Sequence, residues 1–310
     1  MKIAFIFPGQ GAQYIGMAMD FIERNPEYET ILKKFDEKNK TTLFKIMKEG
    51  PEEKLKETKF TQPAILFHSI IAMKTLLAEK EIKPDFVAGH SLGEFSALVA
   101  NGVLSLEDAM YLVHKRGEFM IKANEGKPFA MAAIIGPDSE KVKEICLQAS
   151  KDGIVIAANF NTPVQTVISG SKAGVEKACE IFREIGAKRV VPLVVGGPFH
   201  SPLIEKAKTW LAEEMENIRF SPTEIPVISN VNAEPTANLQ EIKETLANQV
   251  TSAVLWVDSV NFMIENGVEL FIEFGPKKVL AGMIKKINRE VKVLSIDKIE
   301  DVEKVAEELK

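Results

Sequence analysis

The sequence is short of cysteine, of surplus positive charge and of long apolar runs. Its two cysteines, Cys146 and Cys179, stand 33 positions apart with no CxxC pair and no Cys/His cluster around either. A disulfide framework and a zinc finger are both excluded on that pattern. Thirty-nine lysines and arginines face 44 aspartates and glutamates, for a net charge of −5, so the basic surplus of nucleic-acid binders is missing. The longest unbroken apolar runs, such as Ile3–Phe7 and Phe129–Ile135, fall far short of the ~18 residues of a membrane span. Lys2, five apolar residues and Pro8 are too short a stretch for a secretory leader. The expectation is a soluble, cytoplasmic protein with no nucleic-acid and no membrane partner. At 310 residues the chain has about two domains' worth of length, at ~150 residues each, and ample material for a core.

Short apolar runs alternate with longer amphipathic stretches, the pattern of an α/β protein with a largely parallel sheet. Ile3–Phe7 reads as a first, buried strand closed by Pro8-Gly9. A helix is expected from Thr61, its N-cap, to Glu79, with Pro63 tolerated in the first turn. Asp85–Gly89 reads as the next strand, followed by a helix from Leu92 to Asn101 and a second from Ser105 to about Lys122. Ser105 and Asp108 have the spacing of a capping box, with Asp in place of the usual Glu or Gln. The middle of the chain then changes character. Strand 129–135, helix 139–150, strands 154–159 and 165–169, helix 172–185 and strand 189–193 follow in the βαββαβ order of a ferredoxin-like unit. This unit reads as an insertion, after which the α/β pattern resumes: a helix from Pro202, strands at 226–229, 269–274 and 291–296, and helices at 239–249 and 254–265, to Ile287 and from Asp301.

The most informative residues are Gly89-His90-Ser91-Leu92-Gly93. They match G-x-S-x-G where a strand ends and a helix begins, the setting in which a serine hydroxyl is exposed on a sharp turn. The helix behind that serine directs its N-terminal N–H groups and dipole toward a developing oxyanion. A nucleophilic serine needs a base, and four histidines are available. His90 is adjacent to Ser91 and its side chain should diverge. His68 sits mid-helix among apolar residues and reads as a structural histidine with one polar contact. His114 lies in a helix two positions before Arg116, on a different face. His200, in the irregular segment Gly196-Gly197-Pro198-Phe199-His200-Ser201-Pro202, is left as the base, because such loops carry functional groups disproportionately. The glycine loop Pro8-Gly9-Gln10-Gly11 fits neither G-x-G-x-x-G nor a P-loop. It is either a plain tight turn or the donor of a backbone N–H, from Gln10, to an oxyanion hole shared with the N–H of Leu92.

Gln10 in Phe7-Pro8-Gly9-Gln10-Gly11, the elbow through Glu94, Arg116 in Lys115-Arg116-Gly117, Phe199-His200-Ser201 and Gln249 together resemble the malonyl-CoA:acyl-carrier-protein transacylase family. The resemblance spans essentially the whole chain, the inserted unit included. It implies an α/β-hydrolase-like subdomain over 1–124 and 195–310, a ferredoxin-like subdomain over 125–194, and an active site in the cleft between them. Ser91 and His200 would be the catalytic dyad, and Gln249 would orient the histidine through its backbone carbonyl. Arg116, from the residues alone as readily a solvated helix arginine, would bind the free carboxylate of the malonyl group. An aromatic residue at Phe199 resembles the malonyl-selective pattern of related acyltransferases. The implied reaction is a ping-pong transfer to acyl carrier protein in fatty-acid synthesis. The CoA thioester is a substrate, and no metal or redox cofactor is required. A serine hydrolase would share the elbow but would have little use for Arg116, and a non-catalytic scaffold would have no need of Ser91, His200 and Arg116 together. Acyl carrier proteins are acidic, so docking onto a net negative chain calls for a local basic patch. Lys188-Arg189 and Lys285-Lys286 are the candidate pairs, and a monomer is expected.

Overall fold

The structure, a computed structural model, describes residues 1–309. In chain order the strands are β1 (Lys2–Phe7), β2 (Phe86–Gly89), β3 (Phe129–Ile135), β4 (Val155–Thr162), β5 (Gln165–Ser171), β6 (Arg189–Pro192), β7 (Val227–Ile228), β8 (Pro235–Thr236), β9 (Val268–Phe274) and β10 (Lys292–Ile296). They form a six-stranded sheet of order β10-β9-β1-β2-β7-β8 and a four-stranded sheet of order β4-β5-β3-β6. The fold is therefore α/β, with a hydrolase-like sheet and a ferredoxin-like one.

In the large sheet β1 is central, parallel to both β2 and β9. Its side chains alternate between two buried faces: Phe5 and Phe7 enter the main core, while Ala4 and Ile6 enter a second core with Ala88, Ile228 and Trp256. A strand covered on both faces has no polar side, which is why its sequence is an unbroken apolar run. The sheet departs from the expected parallel pattern at one edge, where β8 is antiparallel to β7. Only the short stretch 229–234 joins them, and a parallel pair needs a crossover of a dozen or more residues.

The small sheet is antiparallel throughout. Helices Ser139–Ala149 and Lys172–Glu184 build its own core with β3, β4 and β5, centred on Ile134, Ile168 and Phe182. It is tied to the large unit through β4. Phe160 N–H donates to the Val254 carbonyl and Val254 N–H to the Ala158 carbonyl, each at 2.9 Å.

The helix expected from Thr61 spans Thr58–Glu79, one turn earlier, with Glu57 rather than Thr61 at its N-cap. Pro63 therefore lies inside the helix and cannot bond the Lys59 carbonyl four residues back. His114 fills that vacancy, its Nδ1 lying 2.9 Å from the Lys59 carbonyl oxygen. By length and composition this helix is apolar enough to cross a membrane, yet most of it is buried inside the domain. Helices Met19–Arg24, Glu27–Asn39, Leu43–Glu49 and Glu52–Leu55 fill the span before it. The Ser105 cap forms as expected, with the Asp108 N–H donating to its hydroxyl at 3.0 Å.

Glu273 on β9 is fully buried, and its two oxygens accept the N–H groups of Leu280 and Ala281 at 2.8 and 2.9 Å. It thereby caps helix Val279–Ile287. Burial pushes this carboxyl up to about 7. Because the folded value lies above the unfolded one, its contribution to stability is complete below the unfolded value and is lost as pH rises through about 7. Glu273→Gln retains an acceptor and does not titrate. Urea unfolding of both proteins should show wild type losing ground to the variant as pH rises from about 4.5 to 7. Parallel pH curves would show that folding does not raise this carboxyl above its unfolded value.

Candidate active site

The elbow is built by two close approaches. A Cβ on Gly89 would collide with the backbone of Gly93, and one on Gly93 with the carbonyl of Phe7 on β1. Only glycine fits either place. Between them Ser91 is forced to φ 53°, a left-handed conformation costly for a residue with a side chain. Asn230, in the turn after β7, holds it there. Its Oδ1 accepts the Ser91 N–H, and its Nδ2 donates to the Gly89 carbonyl, each at 2.7 Å.

His200 also has a positive φ, 58°, and its ring meets Ser91. Nε2 lies 2.8 Å from Ser91 Oγ, and Nδ1 lies 2.8 Å from the Gln249 carbonyl and 3.1 Å from that of Ser252. Carbonyls only accept, so Nδ1 carries the proton and Nε2 is free to take one from the serine. Burial, followed by repulsion from Arg116, lowers His200 to about 3, so the resting imidazole is neutral.

Arg116 projects from helix Leu106–Lys122 and is 1% exposed. Its Nη1 donates to Gln62 Oε1 at 2.9 Å, and its Nη2 to Ser91 Oγ at 3.0 Å and Gln249 Oε1 at 2.8 Å. Its Nε–H has no partner among the described residues. Burial lowers it to about 10, and the nearby Glu94 opposes that shift, so it stays charged at neutral pH. A buried guanidinium with spare donors beside a nucleophile suits a carboxylate held next to the attacked carbonyl.

Leu92 is buried at the N-cap of helix Gly93–Ala100. Gln10, exposed after β1, reaches Thr58 Oγ1 with its side chain at 3.5 Å. Neither backbone N–H donates to another group among the described residues. Phe199 is buried in the main core. Gln10, Thr58, Gly117 and Gly196 also line a cavity of about 1700 Å³ that reaches Pro128 and Phe129 of the small unit. Lys188, Arg189, Lys285 and Lys286 are exposed and lie outside that lining.

The other histidines are structural. The His90 ring diverges from the serine, its Nε2 lying 2.8 Å from Asn161 Oδ1 on β4, which ties elbow to small sheet. His68 lacks the expected polar contact: neither ring nitrogen is hydrogen-bonded among the described residues, and Asp297 Oδ1, 3.6 Å away, takes the Tyr14 hydroxyl instead. Four polar partners were not expected from the sequence: Gln62, Glu94, Asn230 and Ser252. Only Glu94 carried a signal, as the one charged residue in the helix Gly93–Ala100, since such groups are rarely buried without a partner.

Comparison with known proteins bears on this arrangement. The acyl transferase domain model matches residues 4–306. The malonyl CoA-acyl carrier protein transacylase of Bacillus subtilis is 45% identical over 310 residues, covering 100% of this chain and 98% of that one. This chain belongs to the malonyl-CoA:acyl-carrier-protein transacylase family. Solved transacylases agree. The Coxiella burnetii structure superposes with a TM-score of 0.95 at 35% identity, covering 100% of this chain and 98% of the other. The Streptococcus pneumoniae one gives 0.92 at 39%, with 99% and 100% covered.

Because His200 is held neutral far below the usual imidazole range, a transacylase of this geometry should keep its base in acid. Acylation of Ser91 by a neutral acetyl reagent should stay flat from about pH 8 to below 6, the ordinary imidazole value being ~6.5. An acid limb centred near that ordinary value would show that burial does not depress the histidine.

Proposed function

We infer that the chain transfers the malonyl group of malonyl-CoA to the phosphopantetheine thiol of acyl carrier protein, through a malonyl ester on Ser91, in fatty-acid synthesis. The observation that carries this reading is the buried Arg116 beside Ser91 Oγ, with an N–H still unpartnered. A plain hydrolase has no use for that charge.

In this reading His200 Nε2 takes the Ser91 proton while Oγ attacks the thioester carbonyl. The N–H groups of Gln10 and Leu92 receive the oxyanion. Arg116 holds the malonyl carboxylate, and Gln249 orients His200 by its carbonyl. The tetrahedral intermediate expels CoA, whose sulfur takes the proton from His200. The carrier's thiol then gives its proton to His200 and attacks the ester, and Ser91 Oγ leaves with that proton. Pairing of the malonyl carboxylate with Arg116 offsets the positive charge that weakens His200, so the base strengthens when the correct acyl group binds. Phe199, next to the histidine, crowds an α-branched acyl group.

Ser91→Ala should fold and form no malonyl ester, read by mass spectrometry of the intact protein. Arg116→Ala leaves the malonyl carboxylate unpaired at a cost of roughly 3–5 kcal/mol, a hundredfold or more in kcat/KM at ~1.4 kcal/mol per tenfold. Acetyl-CoA carries no carboxylate, so acetyl transfer should survive or rise. Equal losses for both acyl groups would assign Arg116 a structural role.

Carrier docking is placed on Lys188-Arg189 and Lys285-Lys286, all exposed and without an ion pair among the described residues. A malonyl-transacylase 35% identical to this chain, with a TM-score of 0.95, is solved in complex with a type II PKS acyl-carrier protein. The chain is read as a monomer acting in the cytoplasm. Reversing both basic pairs to glutamate should raise KM for the carrier and flatten its salt dependence. KM for malonyl-CoA should rise less. An unaltered carrier KM would move the docking surface elsewhere.

A further inference from the structure

Glu94 has no part in the steps above, yet it is 1% exposed, at the heart of the site. Its own N–H donates to the Ser91 carbonyl at 3.1 Å. Its Oε2 accepts the Gln249 Nε2–H at 2.7 Å and the Asn230 N–H at 3.1 Å. The amide that it meets has a second end: Gln249 Oε1 accepts from Arg116 Nη2 at 2.8 Å. We propose that Glu94 is a positioning residue that fixes which way the Gln249 amide faces and thereby holds Arg116 in place for a carboxylated acyl group. This rests on the reading that Arg116 receives the malonyl carboxylate.

The two ends of a glutamine amide are nearly the same size, so packing alone does not choose between them. Hydrogen bonding does. A guanidinium only donates, so the end facing Arg116 must be the oxygen. On the other side stand two groups that only accept, the Glu94 carboxylate and the Ser91 carbonyl, the latter 3.0 Å from Nε2. Turning the amide over would set an NH2 group against the guanidinium and an oxygen against a carboxylate. Glu94 also places a negative charge behind a buried cation, joined to it by one bridging side chain. Its surroundings come from three elements: Gln249 on helix Leu239–Gln249, Asn230 after β7, and Arg116 on helix Leu106–Lys122. Arg116 supplies the charge that acts on it, and burial pushes its carboxyl up to about 7 against that pull. Protonation would remove the negative charge behind the guanidinium, while Oε2 could still accept from Gln249. The hold on Arg116 should then weaken as pH falls through about 7, and malonyl transfer should suffer more than acetyl transfer.

The test measures kcat/KM for malonyl-CoA and acetyl-CoA across pH in wild type, Glu94→Ala, Glu94→Gln and Arg116→Ala. Glu94→Ala should lower the malonyl-to-acetyl ratio about tenfold, the scale of coupling within one hydrogen-bonded network. Glu94→Gln, with an uncharged oxygen that still accepts from Gln249, should recover most of that ratio. In wild type the ratio should fall as pH drops through about 7, and in Glu94→Gln it should be flat. Should the alanine variant fail to fold, the isosteric variant and the wild-type pH curve decide alone. Equal losses for both acyl groups in the Glu94 variants, or a wild-type ratio flat across neutral pH, would overturn the inference. If Arg116→Ala collapses the ratio while the Glu94 variants leave it unchanged, only the role of Glu94 falls. An unchanged ratio in Arg116→Ala would overturn the reading of Arg116 itself, and this inference with it.

Discussion

Gly93 lies against the carbonyl of Phe7 with no room for a side chain, and the geometry of the site descends from that contact. It draws the helix Gly93–Ala100 onto the end of β1, which turns the chain sharply at Ser91 and lifts the hydroxyl clear of the sheet. A left-handed serine costs on the order of 1–3 kcal/mol. The paired hydrogen bonds of Asn230 to Gly89 and Ser91 offset a cost of that size, at roughly 0.5–1.5 kcal/mol each. The same contact leaves the Leu92 N–H at the helix start with no acceptor of its own, as first-turn amides are.

Around the elbow, burial does two opposed things. It weakens His200 as a base, with Arg116 adding to the effect, and it makes Arg116 costly to leave alone. The second cost is met by acceptors brought from three elements: Gln62, Gln249 and Ser91 Oγ. Glu94 stands behind Gln249 as the nearby negative charge. Breaking one partner of such a set costs more than the set contributes as a whole. In the proposed reading the group that weakens His200 is the one an acyl carboxylate would neutralise, so selectivity and reactivity would share one guanidinium.

The small unit is joined to this machinery at its centre. β4 pairs with Val254, two residues after the Ser252 carbonyl that receives His200, and Asn161 on the same strand holds the His90 ring next to Ser91. Gln10 and Thr58 of the large unit and Phe129 of the small one line the same cavity.

Features with local causes were legible in the sequence. The glycines of the elbow, the Ser105 cap, the alternation of helix and strand and the βαββαβ order all depend on residues close together in the chain. The meeting of Ser91 with His200 was also expected on local grounds, because a G-x-S-x-G turn exposes its serine and only one histidine lay in an irregular loop. The rest depended on distant residues meeting. Gln62 reaches Arg116 across 54 positions, Asn230 meets Glu94 across 136, and Gln249 meets Glu94 across 155. No periodicity encodes which polar side chain, among many on buried helices, finds a partner there. The turn-early start at Thr58 escaped for the same reason: the carbonyl that Pro63 cannot bond is approached by His114, far along the chain. Composition and spacing determined the fold class and which serine sits on the elbow. Tertiary packing alone decided which buried polar groups face one another, because that depends on donors and acceptors matching in space after the chain has closed.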